Sequence, residues 1–396
     1  MKKAKIGVLF LTAAVALSIL LAACFSDWTG DTVGETALIT INLGGGTSRN
    51  PNTWTGPNIV DENILHTIKI GGATVGTGVK IGDNPTYKVR TGSHTVEVRG
   101  YDPDTDALLS YAENSINVTV AGPNTCTMPM KQAFEAANNP DWGTAATTIS
   151  GGGSREYYIF VTSPFNIPSP GSASPSSPFG SVTGITVNIR GNSTITFEGS
   201  NSFTIGPNQT VILKDVSLKG TQNNYNPLVS VYGTFKMEGS ASVKDNLPGG
   251  VNVFSGGTFT MSGGTITGNT GNTGSGDCGG VNVASGGTFI MSGGTIRGNR
   301  NINGGGVYIN GGSFTMSGGI ITDNTATMDG GGVYVGDGIF DISAAGAKYN
   351  EWVTSNHADS SQVTTLNVFQ GGGTIKRYAS PNDPNHDFDV SEGGGW

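Results

Sequence analysis

Few residues of this 396-residue chain have the types and spacing that chemistry demands. A glycosidase needs two carboxylates poised across a bond, and calcium asks for several clustered oxygen donors. The acids of the C-terminal half, Glu238, Asp245, Asp277, Asp323, Asp329, Asp337 and Asp341, are instead scattered, mostly at turn positions. Asp323, Asp329 and Asp337 form the one local concentration, and solvated turn aspartates explain it better than a calcium site. The four histidines, His66, His94, His357 and His386, all lie outside the repeated segment. Cys126 and Cys278 carry no CxxC or Cys/His spacing, so they read as small buried side chains rather than a zinc site or a disulfide framework. No catalytic residue, metal ligand or cofactor is assigned. Two tyrosines, Tyr308 and Tyr334, are the candidate ligand contact, for reasons that require the elements carrying them.

Those elements repeat. Gly250-Val251-Asn252-Val253 leads into Gly256-Gly257-Thr258-Phe259-Thr260-Met261 and then Gly263-Gly264-Thr265-Ile266-Thr267-Gly268-Asn269. The series returns at 280–299 and 306–324, and in degraded form at 332–342. Each unit holds three short segments with period-two alternation, the signature of half-buried strands. Apolar positions superpose from unit to unit: Val231, Val253, Val283, Ile309, Val335; Phe235, Phe259, Phe289, Phe314, Phe340; Met237, Met261, Met291, Met316, Ile342; and Val243, Ile266, Ile296, Ile321. One unit cannot bury these residues, whereas stacked units can, so a right-handed parallel β-helix with three strands per coil is expected over 149–343. About eight coils near 40 Å long follow at a rise of roughly 4.8 Å. Asn246, Asn269, Asn299 and Asn324 recur at one corner as a structural amide ladder. In this register Ser230, Asn252, Asn282, Tyr308 and Tyr334 share one outward column, and paired aromatic faces with hydroxyls suit sugar or protein contact. Mutual stacking that shields the sheet is the simpler use of the same pair.

Before the repeat, alternating segments such as Leu38–Leu43, His66–Ile70, Thr95–Val98 and Ile116–Val120, separated by turn signals, predict a β-sandwich over 37–130. Residues 131–148 read as a linker and cap, with a short helix at Ala133–Ala137, and Ser163–Ser181 as an irregular loop. Residues 344–396 turn polar and read as a C-terminal cap and tail. The fold class is therefore all-β, with 64 glycines and 13% charged residues, about half the usual charged share.

The N-terminus places Lys2, Lys3 and Lys5 before an uncharged run from Ile6 to Leu21, as in a secretory signal over 1–23. Leu21-Ala22-Ala23-Cys24 resembles the lipobox of bacterial lipoproteins, which implies a lipid on Cys24, a tether over 24–36 and a membrane partner. Removing 1–23 takes away three lysines and no acids, moving the formal charge from −8 to −11. Such an acidic chain is not expected to bind nucleic acid. The stretch Gly92-Ser93-His94-Thr95-Val96-Glu97-Val98-Arg99-Gly100-Tyr101-Asp102 resembles the closing hairpin of bacterial immunoglobulin-like modules. The GGTFTMSGGTI-type repeats resemble those of spirochaete-like surface lipoproteins with right-handed parallel β-helices. These resemblances imply a monomeric, lipid-anchored protein of the cell envelope, at the outer membrane or cell surface, that presents its β-helix for adhesion to a glycan or a host or matrix protein. The alternatives are a carbohydrate-active β-helix enzyme and a purely structural envelope protein.

Overall fold

The computed structural model describes residues 35–43, 64–80, 82–153, 155–169, 177–199, 201–224, 226–271, 279–342, 352–358 and 367–376. Cys24, with the whole signal and most of the tether, lies outside them, as do Cys278 and His386.

The N-terminal region builds two small sheets from alternating strands. β1 (Thr36–Leu43), β2 (Leu65–Ile70), β3 (Ala73–Val79), β4 (Thr86–Arg90), β5 (Gly92–Tyr101), β6 (Leu108–Val118) and β7 (Asn124–Met128) follow in order. β1 pairs antiparallel with β4 and parallel with β7, while β3, β2, β5 and β6 form an antiparallel run. Their inward residues, among them Ile39, Ile41, Ile68, Val96, Val98, Cys126 and Met128, share one apolar cluster.

β8 (Lys131–Ala136) joins this region to the stack, pairing antiparallel with β6 and parallel with β9 (Glu156–Val161). The helix expected at Ala133–Ala137 is therefore a strand, because partners on both sides supply ladder hydrogen bonds that outweigh the local helix preference of its alanines. The helix comes next, as α1 (Asn139–Gly151). The Asn138 side chain accepts from the Asp141 N–H at 2.9 Å, Asp141 accepts from the Ala137 N–H at 3.1 Å, and Pro140 sits in the first turn. These are the start signals of a capped helix. Its buried face, Trp142, Ala145, Ala146 and Ile149, lies on the first turn of the stack, with Trp142 against Phe165, Phe179 and Phe203. Among the described residues no helix is long and apolar enough to cross a membrane.

The stack is a β-solenoid of about seven turns. Three parallel sheets run along it. Sheet 1 aligns Tyr157, Val187, Val211, Phe235, Phe259, Phe289, Phe314, Phe340 and Ile375. Sheet 2 aligns Phe165, Ile195, Leu218, Val243, Ile266, Ile296, Ile321 and Val353. Sheet 3 aligns Ile205, Val231, Val253, Val283, Ile309 and Val335. The inward ladders match the sequence registers, and successive phenylalanines of sheet 1 stack at 4.5–5.2 Å between centroids.

Three boundaries differ from expectation. Among the described residues sheet 3 begins only at Phe203, and the solenoid has about seven turns against the eight expected. Phe165–Ile167, inside the segment read as loop, is a strand paired with residues 195–197. Nor does the solenoid stop at 343: Val353–Thr354, Val368–Gln370 and Thr374–Lys376 add one strand to each sheet. At the upper end, β8 and α1 belong to the stack and its cap rather than to a separate linker.

The two regions are riveted where β6 meets sheet 1. Arg190 donates to the Glu113 carboxylate and, at 3.2 Å, to the Tyr111 hydroxyl. Its guanidinium lies 5.1 Å from the Tyr158 ring centroid, and Tyr111 packs 4.7 Å from that same ring.

Candidate binding face

Polar residues repeated in register are the first place to look for a ligand row, and the asparagine corner is the most regular. Asn246, Asn269, Asn299 and Asn324 are all essentially buried. Each backbone N–H donates to the side-chain oxygen of the asparagine one turn on: Asn246 to Asn269 at 3.2 Å, Asn269 to Asn299 at 3.1 Å and Asn299 to Asn324 at 3.0 Å. The side-chain amides donate back to strand carbonyls, as Asn299 does to Ile266 and Asn324 does to Ile296. Both ends of each amide are thus used within the fold, and none faces a ligand. The ladder also continues through Asn356 to Asn367, which the irregular spacing of the last turn hid.

Several acids also have structural places, and Asp277 lies outside the described residues. Asp215, Asp245 and Asp323 occupy left-handed corner positions, with φ of 60°, 57° and 55°, where aspartate is among the few tolerated side chains. Asp215 accepts from the Ser240 N–H at 2.7 Å and its hydroxyl at 2.8 Å, bonds that hold its carboxyl below the usual range. Among the described residues no three of His, Cys, Asp or Glu gather as a metal site would require. His66 and His94 bond the carbonyls of Val79 and Arg90 in the N-terminal region, and His357 lies in a short corner strand. Cys126 is buried with its thiol 3.6 Å from Met128 Sδ, and burial pushes that thiol up, away from reactivity.

The tyrosines stand apart. Strand alternation that buries Val307 and Ile309 turns Tyr308 outward, and Tyr334 pairs with it in the next turn. Both are half-buried, with centroids 5.3 Å apart and planes tilted by 53°. Phe369 completes the row, stacked on Tyr334 at 5.4 Å and 10°. Sequence reasoning missed Phe369, although Val368-Phe369-Gln370-Gly371-Gly372-Gly373-Thr374-Ile375 follows the pattern of Val307-Tyr308-Ile309-Asn310-Gly311-Gly312-Ser313-Phe314. Burial, joined by the Asp337 carboxylate, pushes both phenols up, so each keeps its proton at neutral pH and can donate or accept. Beside the row, Gly286, Gly287, Gly311, Gly312 and Gly338 line a shallow cleft with Thr288 and Ser313.

The outer surface of sheet 3 therefore carries three half-buried rings and two phenol hydroxyls, with a shallow cleft lined by glycines nearby. No protein-family model, no curated protein and no solved structure matches this chain significantly.

Proposed function

We propose that the chain is a lipid-anchored bacterial cell-surface protein that uses its solenoid for adhesion, with Tyr308 and Tyr334 as ligand contact. Cys24 anchors, the immunoglobulin-like N-terminal module spaces, and the solenoid carries the binding face. The aromatic row Tyr308, Tyr334 and Phe369 carries the reading. The stack does not demand aromatics in this register, since Ser230, Asn252 and Asn282 fill it in earlier turns, and of the three rings Phe369 also packs on Ala326 and Ala358. Aromatic faces with polar handles supply contact area at little entropic cost. The anchor is supported by the residues before Cys24, and several acyl chains there would hold the protein stably at a membrane, as one alone does not.

The test is a glycan and matrix-protein binding screen of the chain from residue 25, repeated with Tyr308→Ala/Tyr334→Ala and run beside a polysaccharide depolymerisation assay. Binding that disappears in the double variant is expected. A variant that binds as the parent does removes the tyrosines from the site, and depolymerisation would replace adhesion with catalysis. Fatty-acid labelling that survives Cys24→Ser would remove the anchor.

A further inference from the structure

A second aromatic pair lies on the same side of the solenoid. Tyr232 and Phe254 directly follow the inward Val231 and Val253, which sets them in a second outward column at the corner between sheets 3 and 1. Their rings are parallel within 3° at 4.4 Å, and Tyr232 is 39% exposed. Later turns place Ala284, Asn310, Gly336 and Gly371 after the corresponding strand positions, so packing alone does not demand aromatics there.

The two clusters begin in different columns and yet lie along one line. A Cβ on Gly336 would stand 3.3 Å from ring atoms of both Tyr308 and Tyr334, and one on Gly371 would stand 2.8 Å from the Tyr334 hydroxyl. Where the second column gives up its side chain, the rings of the first lean over the vacated space. Between the clusters, among the described residues, the second column holds Ala284 and Asn310, a small apolar group and an amide. From Tyr232 to Phe369 the line crosses five turn-to-turn steps, about 24 Å at the usual strand spacing.

We propose that this line is one continuous platform for an extended, uncharged glycan lying parallel to the solenoid axis, with Tyr232 and Phe254 as its second anchor. The proposal rests on the reading of Tyr308 and Tyr334 as a ligand contact and extends it. Sugar rings present C–H faces to aromatic planes and hydroxyls to amides and phenols, the groups that alternate here. A polyanionic chain is disfavoured, because Asp329 and Asp337 act on the tyrosines at one end and the chain carries net charge −8. A globular partner is disfavoured too, since it needs about 800 Å² on each side and this strip is one or two side chains wide.

The experiment is calorimetry of the full chain in mild detergent with neutral β-1,4-linked glucose and N-acetylglucosamine oligosaccharides, from disaccharide to hexasaccharide. Affinity should rise with length. Tyr232→Ala/Phe254→Ala and Tyr308→Ala/Tyr334→Ala should each weaken the hexasaccharide about tenfold, the loss of one aromatic anchor, and leave disaccharide binding at the other. Ala284→Arg, which places bulk between intact anchors, should lower hexasaccharide affinity alone and guards against misfolding of the alanine variants. If Tyr232→Ala/Phe254→Ala and Ala284→Arg bind the hexasaccharide as the parent does while Tyr308→Ala/Tyr334→Ala does not, the continuous platform is refuted and the tyrosine contact stands. If no oligosaccharide binds, or if light scattering shows the strip instead holding two copies together, the platform is refuted, while the tyrosine contact is decided by the matrix-protein arm of the screen.

Discussion

The same turns present two surfaces that obey opposite rules. Inside, phenylalanine follows phenylalanine from Phe235 to Phe340 and asparagine follows asparagine at the corner. Outside, one column of sheet 3 reads Ser230, Asn252, Asn282, Tyr308, Tyr334 and Phe369. Inward side chains touch their own copies one turn away, so a change in one disturbs its neighbours on both sides. Outward ones also touch across turns, as Asn282 does Asn252 at 2.9 Å and Tyr308 does Tyr334, but their types change along the column. Uniformity therefore marks what the stack needs, and the departures from it are where binding specificity can be stored.

Perturbing the interior should cost far more than perturbing the outer column. The largest effect is expected from ending the chain after residue 343, which strips the last described strand from all three sheets and bares their ladders. Light scattering should then show association, and a monomeric, cooperatively folded truncation would contradict the role given to that turn. Phe289→Ala leaves a cavity between stacked rings at 4.7 and 4.5 Å and should cost about 3–5 kcal/mol by denaturant titration. Asn299→Ala removes the side-chain oxygen that accepts from the buried Asn269 N–H and its amide, at about 1–3 kcal/mol.

Arg190→Ala should cost less, about 1–2 kcal/mol, since both ends of its pair with Glu113 keep some contact with water. Burial pushes the Glu113 carboxyl up, but the Arg190 hydrogen bond and charge outweigh it and leave the group lowered. A carboxyl lowered in the folded state adds stability above its unfolded value, about 4.3, and loses it as pH falls through the folded one. The stability gap between parent and Arg190→Ala should therefore narrow on acidification below about pH 4. A gap that stays constant into acid would remove Glu113 from the account. On a similar scale, Tyr308→Ala/Tyr334→Ala should cost about 1–2 kcal/mol, for the two ring contacts it removes, with each other and with Phe369.

How much of this was legible follows from the same contrast. The ladders could be read because each inward residue recurs at nearly constant spacing, and Tyr308 and Tyr334 could be placed because they sit between two such residues. Asn356 and Phe369 escaped because the last turn contains longer excursions that break the spacing, although its local alternation is intact. β8 was missed for a different reason: its identity as a strand depends on β6 and β9, which no local pattern in Ala133–Ala137 announces. Tyr232 and Phe254 were visible as residues, but that they align with the tyrosine row depends on how the rings lean over Gly336 and Gly371, a fact of packing alone.

The division between interior and outer face is tested most directly by measuring, on one preparation of Tyr308→Ala/Tyr334→Ala, both the unfolding free energy and the affinity for the best ligand of the binding screen. Stability is expected within about 2 kcal/mol of the parent and affinity at least about tenfold weaker. Unchanged affinity, or binding lost only in proportion to a collapse in stability, would contradict it.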